Sequence, residues 1–229
     1  MQPDIRMMPQ AGGLAVPQNK VLRNTYFLLA LSLVPTVIGA FVGTSMDFSW
    51  AAQHPVMFGL GALAVMMGLM FGVSAARNSG LGVVLLLAFT LVMGILLGPI
   101  LQVALRMSNG AQVVGLAAGG TSAIFFVLAG IATTSKRDFS FLGKFLMVGI
   151  VLLILASLAN LFFHIPAFAL ALSGIGVLLF SGFLLFDVSR IVNGGESNYI
   201  MATLAIYLDI YNLFINLLNI LMALMGNRD

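Results

Sequence analysis

Residues 199–224 read YIMATLAIYLDIYNLFINLLNILMAL, a long apolar run with a single charge, Asp209. A transmembrane helix needs about 20 mostly apolar residues, so this run is long enough to cross a bilayer. Its polar residues are not scattered. Asp209, Asn212, Asn216 and Asn219 are spaced by three, four and three, which places them in one stripe on one helix face. Hydrocarbon offers such a stripe no hydrogen-bond partners, so it must face protein or water. The other faces, with Leu213, Phe214, Leu217 and Leu221, are apolar as well. A helix of this kind belongs at the centre of a bundle, with its stripe along an interior path.

The rest of the chain supplies the bundle. Six further apolar runs precede it, at 25–46, 56–76, 81–105, 113–134, 145–163 and 168–188. The expected fold is an all-α membrane protein of seven transmembrane helices with the C-terminal helix central. Barrel strands are excluded, because the runs are too long and do not alternate in-out. Residues 20–229 form one transmembrane domain in this reading. Residues 1–19, with Pro3, Pro9, Pro17 and Gly12–Gly13, read as a flexible cytoplasmic tail. Lys20 and Arg23 resemble the basic region of a signal peptide, but the following run is too long and lacks a cleavage site.

Composition agrees. Hydrophobic residues are 61% and charged residues 7% of the 229, against roughly 45–50% and about 25% in a soluble domain. The mean hydropathy is +1.11. Without cysteine there can be no disulfide, thiolate nucleophile or iron–sulfur cluster. The two imidazoles, His54 and His164, sit in no metal-ligand spacing. No phosphate-binding glycine loop is present, no cofactor is expected, and the net charge of +3 spread over short loops speaks for topology rather than nucleic acid. Arg6, Lys20, Arg23, Arg77, Lys136, Arg137, Lys144 and Arg190 fall on one side of the membrane, and Arg106 and Arg228 on the other. This bias predicts a cytoplasmic N-terminus and, after seven crossings, a C-terminus outside. The small-xxx-small pairs Gly68/Gly72, Gly94/Gly98 and Gly115/Gly119 are expected to serve packing within the bundle.

Two acids interrupt the apolar runs, Asp187 near the end of the sixth and Asp209 inside the seventh. Each would cost roughly 2.5–3.5 kcal/mol at a bilayer centre, so neither faces lipid. Asp209 lies about 15 Å into its helix, and Asp187 about 9 Å from the end of its own if that helix runs to Asn193. The two carboxyls can therefore meet. Adjacent carboxyls cannot both ionise cheaply, so such a pair shares a proton and titrates as a unit. It bolts two helices together when singly protonated and can transiently hold a cation when ionised. The plainer alternative is that each Asp bonds to Tyr207, Tyr211 or a neighbouring Asn. Arg77 and Arg190 lie on the side of Asp187, and either can pair with it. Intramembrane aspartyl proteolysis is disfavoured: no glycines surround Asp209, and Pro166-Ala167 is followed by Phe168.

The chain also resembles a known family. Gly94-Ile-Leu-Leu-Gly98-Pro99-Ile100-Leu101 with Gly119-Gly120-Thr121, Asp138-Phe-Ser-Phe-Leu-Gly143, Phe186-Asp187 and the Tyr207-to-Asn216 run are similar to the Bax-inhibitor-type (BAX inhibitor/YccA) membrane proteins. Lys20-Val-Leu-Arg-Asn-Thr-Tyr-Phe-Leu-Leu29 and Gly194-Gly-Glu-Ser-Asn-Tyr199 resemble its proteobacterial branch. The resemblance implies a non-enzymatic inner-membrane protein with the last helix surrounded by six others. It further implies a pH-sensitive calcium or cation leak gated by Asp187 and Asp209 or, alternatively, modulation of the membrane-anchored FtsH protease by binding. Leak-forming members can latch one acid with a basic cluster at the end of the second helix. Here Ser74-Ala-Ala-Arg77 offers a single late arginine.

Overall fold

The computed structural model describes residues 15–135 and 137–226. Among them the chain forms α1 (Ala15–Ser45), α2 (Ser49–Gln53), α3 (Pro55–Ala75), α4 (Gly80–Leu96), α5 (Gly98–Leu105), α6 (Gly110–Thr134), α7 (Leu142–Phe163), α8 (Pro166–Val192) and α9 (Tyr199–Met225). Seven segments are long and apolar enough to cross a membrane, with α4 and α5 together making one of them.

Several helices outrun the apolar stretches that mark them. α1 starts at Ala15, so residues 15–19 of the expected tail are helical, while the remainder of that tail lies outside the described residues. α8 continues through Arg190 to Val192. Hydropathy marks the hydrocarbon, whereas a helix continues into the headgroups where lysine and arginine extend their charges to water. The third run divides at Leu97, because Pro99 has no N–H to give and is tolerated only in the first turn of a new helix. Pro55 and Pro166 open α3 and α8 in the same way. The Asn198 side chain caps α9, accepting from the N–H groups of Ile200 at 3.0 Å and Met201 at 3.1 Å.

α9 is the hub: it packs on α8, α6 and α1, with further contacts to α4 and α3. Tyr207 anchors it. The ring is buried, and its hydroxyl lies 2.9 Å from Thr36 Oγ1 of α1 and 3.4 Å from the Thr90 carbonyl of α4. The Tyr211 hydroxyl donates to the Met93 carbonyl at 3.1 Å. α7 rests chiefly on α8, and α3 chiefly on α4, so these two are the least buried of the crossing helices.

The glycine expectation needs correction. Of the three pairs, only Gly94/Gly98 lies against another helix, and its partner is Gly39/Gly43 of α1. A Cβ at Gly94 would strike the Thr36 carbonyl, and one at Gly98 would meet the Gly43 carbonyl oxygen at 2.6 Å. At Gly68, Gly115 and Gly119 a Cβ would find nothing within 4 Å, and at Gly72 it would meet only Leu85 at 3.6 Å. Spacing identifies a smooth helix face; it does not say whether a neighbour covers it.

Candidate functional site

α8 and α9 lie side by side and carry the two acids to one level. The carboxyl groups of Asp187 and Asp209 are within side-chain hydrogen-bonding range of each other. Asp209 is only 6% exposed, and its Oδ2 is buried without a hydrogen-bond partner. Carboxylates only accept, so a hydrogen bond between two of them requires a proton on one. The plainer partners are engaged elsewhere: Tyr207 and Tyr211 bond to α1 and α4, and Asn212 Nδ2 donates to the Leu208 carbonyl at 2.8 Å.

The charged neighbours of Asp187 are Arg190 and Glu196. Arg190 forms an ion pair with Glu196 at 3.6 Å and sits 5.8 Å above the Phe186 ring. The turn through Gly194, with φ of 79°, brings Glu196 back to it. Arg77 is exposed at the end of α3, where its carbonyl accepts from Asn198 Nδ2 at 2.9 Å; it is not among the charged neighbours of Asp187. One level further out, Ser189 Oγ accepts from the Phe139 N–H at 3.1 Å and donates to the Arg137 carbonyl at 3.3 Å. These bonds pin the α6–α7 connection to α8, two residues from Asp187. In that connection Asp138 is held below the usual carboxylate range by the Ser140 side chain and N–H, so it stays ionised.

On the other side of the pair, a cavity of about 820 Å³ lies between α3, α4, α7, α8 and α9. Asp209, Asn212, Asn216 and Asn219 all line it, joined by Ser157 and Asn160 of α7 and Ser173 of α8. Asn216 fits there because Gly176 has no side chain: a Cβ would come within 2.6 Å of the amide carbon. The cavity reaches from the level of the α7–α8 connection, at Asn160 and Ala169, down to Asp209, where it ends. Asp187 does not line it. Beyond lie the fully buried Val73, Val188, Ile191 and Ile200. The arrangement is a largely apolar vestibule with one polar wall, the stripe of α9, and Asp209 of the carboxyl pair at its inner end.

Ser157, Asn160, Ser173 and Gly176 are not among the site residues that the sequence singles out. The two on α7 carry a readable signal, polar residues three apart in an otherwise apolar run, whereas Gly176 carries none. His54 and His164 are exposed and away from the pair; His164 ends α7 at φ of 50°. Among the described residues no three His, Asp or Glu side chains come together as a metal site.

Residues 18–227 match the family described as inhibitor of apoptosis-promoting Bax1. An uncharacterized membrane protein of Vibrio cholerae is 44% identical over 211 residues, covering 92% of each chain. A protein of Escherichia coli named modulator of FtsH protease YccA is 41% identical over 203 residues, covering 89% of this chain and 90% of its own. A second Escherichia coli sequence, equally similar, is named inner membrane protein YccA.

Proposed function

We propose a function from one premise: the chain belongs to the Bax1-inhibitor family of membrane proteins, which it matches over residues 18–227. On our reading it is a bacterial inner-membrane protein with its N-terminal end in the cytoplasm, and it forms a cation pathway gated by Asp187 and Asp209. The observation that carries this reading is the buried carboxyl pair at the inner end of a cavity with one polar wall. With one proton shared, the pair ties α8 to α9 and the vestibule stays closed. With both acids ionised, like charges in a low-dielectric interior repel, and the helices part at the level where the cavity ends. The opening would join the vestibule to the region of Arg190 and Glu196.

The sign follows from that scheme. Rising pH removes the shared proton and favours flux; falling pH restores it and closes the path. The charged groups that act on the pair are Arg190 and Glu196, and neither is a histidine. Calcium is the cation to test first, since oxygen ligands suit it. The measurement is calcium flux from liposomes over a range of external pH, wild type against Asp209→Asn. A wild-type profile that responds to pH and a flat Asp209→Asn profile are expected. Identical profiles would remove the gate from this reading.

A second reading has its own support, the similarity to a protein named modulator of the FtsH protease. Here the chain acts by contact within the membrane, and the bundle is a binding partner rather than a conduit. Co-purification with FtsH and slower turnover of its membrane substrates when the protein is abundant are the expected results. Unchanged turnover with no association would end it. Neither reading needs a catalytic residue.

A further inference from the structure

At the far end of the bundle from Arg190, a second cavity is built around the end of α1. Gln102 Nε2 donates to the carbonyls of Gly43, Thr44 and Met46 at 3.2, 3.2 and 2.8 Å, closing the last turn of that helix. Above it lies a space of about 780 Å³ whose lining includes Asp47, Ser49, Gln102 and Arg106. Asp47 accepts from the Ser49 N–H at 2.8 Å and from its hydroxyl at 3.0 Å. These bonds hold its carboxyl below the usual range, so it is an anion at neutral pH. Arg106 is exposed on the same cavity. Among the described residues no ion pair joins the two, nor ties either to another group. One cavity thus presents a fixed anion and a fixed cation that do not satisfy each other.

This space meets a third one at Thr44 and Leu105. The third, about 610 Å³, runs along the membrane-spanning part between α1 and α6, each of which packs on α9 rather than on the other. Val37, Phe41, Leu101 and Val114 form its walls and Phe214 its floor. Gly115 leaves it open, with nothing within 4 Å of where a Cβ would sit. From Leu33 to Thr44 it follows α1 for about 16 Å at 1.5 Å per residue, the reach of most of an acyl chain. Phe41 and Val37 are exposed, so the groove opens to hydrocarbon. Water is a poor occupant there.

We propose that the two spaces together hold one aminophospholipid, its phosphate at Arg106, its primary ammonium at Asp47 and one acyl chain in the groove between α1 and α6. The charges decide the headgroup. A guanidinium matches a phosphate through paired N–H donors, and a carboxylate accepts from an ammonium. A purely anionic lipid would meet Asp47 with the wrong sign, and a free phosphate would leave the apolar groove unfilled.

The test is lipid retention. Full-length protein is reconstituted in nanodiscs of equal parts phosphatidylethanolamine, phosphatidylcholine and phosphatidylglycerol, extracted in mild detergent, and its bound lipid measured by mass spectrometry. Phosphatidylethanolamine should be enriched about three- to fivefold over phosphatidylglycerol, the range that an exposed ion pair supports. Asp47→Asn should erase that preference, and Arg106→Gln should lower retention of all three lipids. Gly115→Leu places its side chain in the groove and should displace bound lipid while the helical circular-dichroism spectrum stays as in the wild type. Equal retention of the three headgroups by the wild type would overturn the proposal, as would enrichment of phosphatidylglycerol. So would a Gly115→Leu protein that keeps its lipid.

Discussion

Asparagine has the shape of aspartic acid but no proton to share, which makes the Asp187–Asp209 pair divisible by experiment. In the gate reading, Asp187→Asn and Asp209→Asn each flatten the pH profile of flux, and the double variant adds little to either. Groups in contact commonly couple by about 0.5–3 kcal/mol, so the corresponding shifts in thermal unfolding should be non-additive too. Two acids with separate structural roles would instead give additive shifts and leave the pH profile intact. These two residues are legible in the sequence because a charge inside an apolar run is costly and therefore has a reason. Their surroundings are not. That Arg190 turns to Glu196 depends on the left-handed Gly194 turn, a backbone event with no periodicity to betray it. The glycine that makes room for Asn216 is likewise one of many along the chain.

At the scale of helices, α1 lies directly against α4 and the start of α5, because Gly39 and Gly43 on one side and Gly94 and Gly98 on the other let the backbones touch. Any side chain there must push the helices apart. Gly94→Leu or Gly39→Leu should therefore lower the thermal unfolding temperature sharply, at a cost of about 1–3 kcal/mol or more, as overpacking does. Gly68→Leu and Gly119→Leu, whose new side chains enter open space, should unfold close to the wild type. Equal damage from both sets would contradict the assignment of the contact. The existence and order of the crossing helices can be read from apolar run length, since the bilayer imposes that length on each of them. Which helix faces which cannot. A GxxxG spacing is a property of one helix, and the partner that gives it meaning lies far off in the chain, where no local pattern points. The break at Leu97 is written in Gly98-Pro99, yet an uninterrupted apolar run conceals it.

For the whole molecule, the proposed orientation rests on the uneven distribution of lysine and arginine between the two sides. A reporter active only in the cytoplasm, fused behind Asp229, should stay silent, while the same reporter in the connection after Arg77 should signal. A signal behind Asp229 would require an even number of crossings and a different placement of the acid pair. Burial of the seventh crossing segment is foreseeable from its polar stripe, because lipid could not satisfy it on that face. The vestibule beside it is not, being a gap left where α3 leans chiefly on α4 and α7 on α8. The central position of α9 also has a bearing on biogenesis. This helix follows the other six crossings in chain order, so a ribosome delivers the hub after the rim. Until it arrives, the earlier helices can pair as α1 with α4 and as α8 with α6 and α7, but Thr36, Thr90 and the inner faces of α6 and α8 lack their eventual partner. Completion of the bundle is then a late event, and a chain interrupted before Tyr199 is left with its rim contacts made and its hub missing, the condition that membrane quality control is built to recognise.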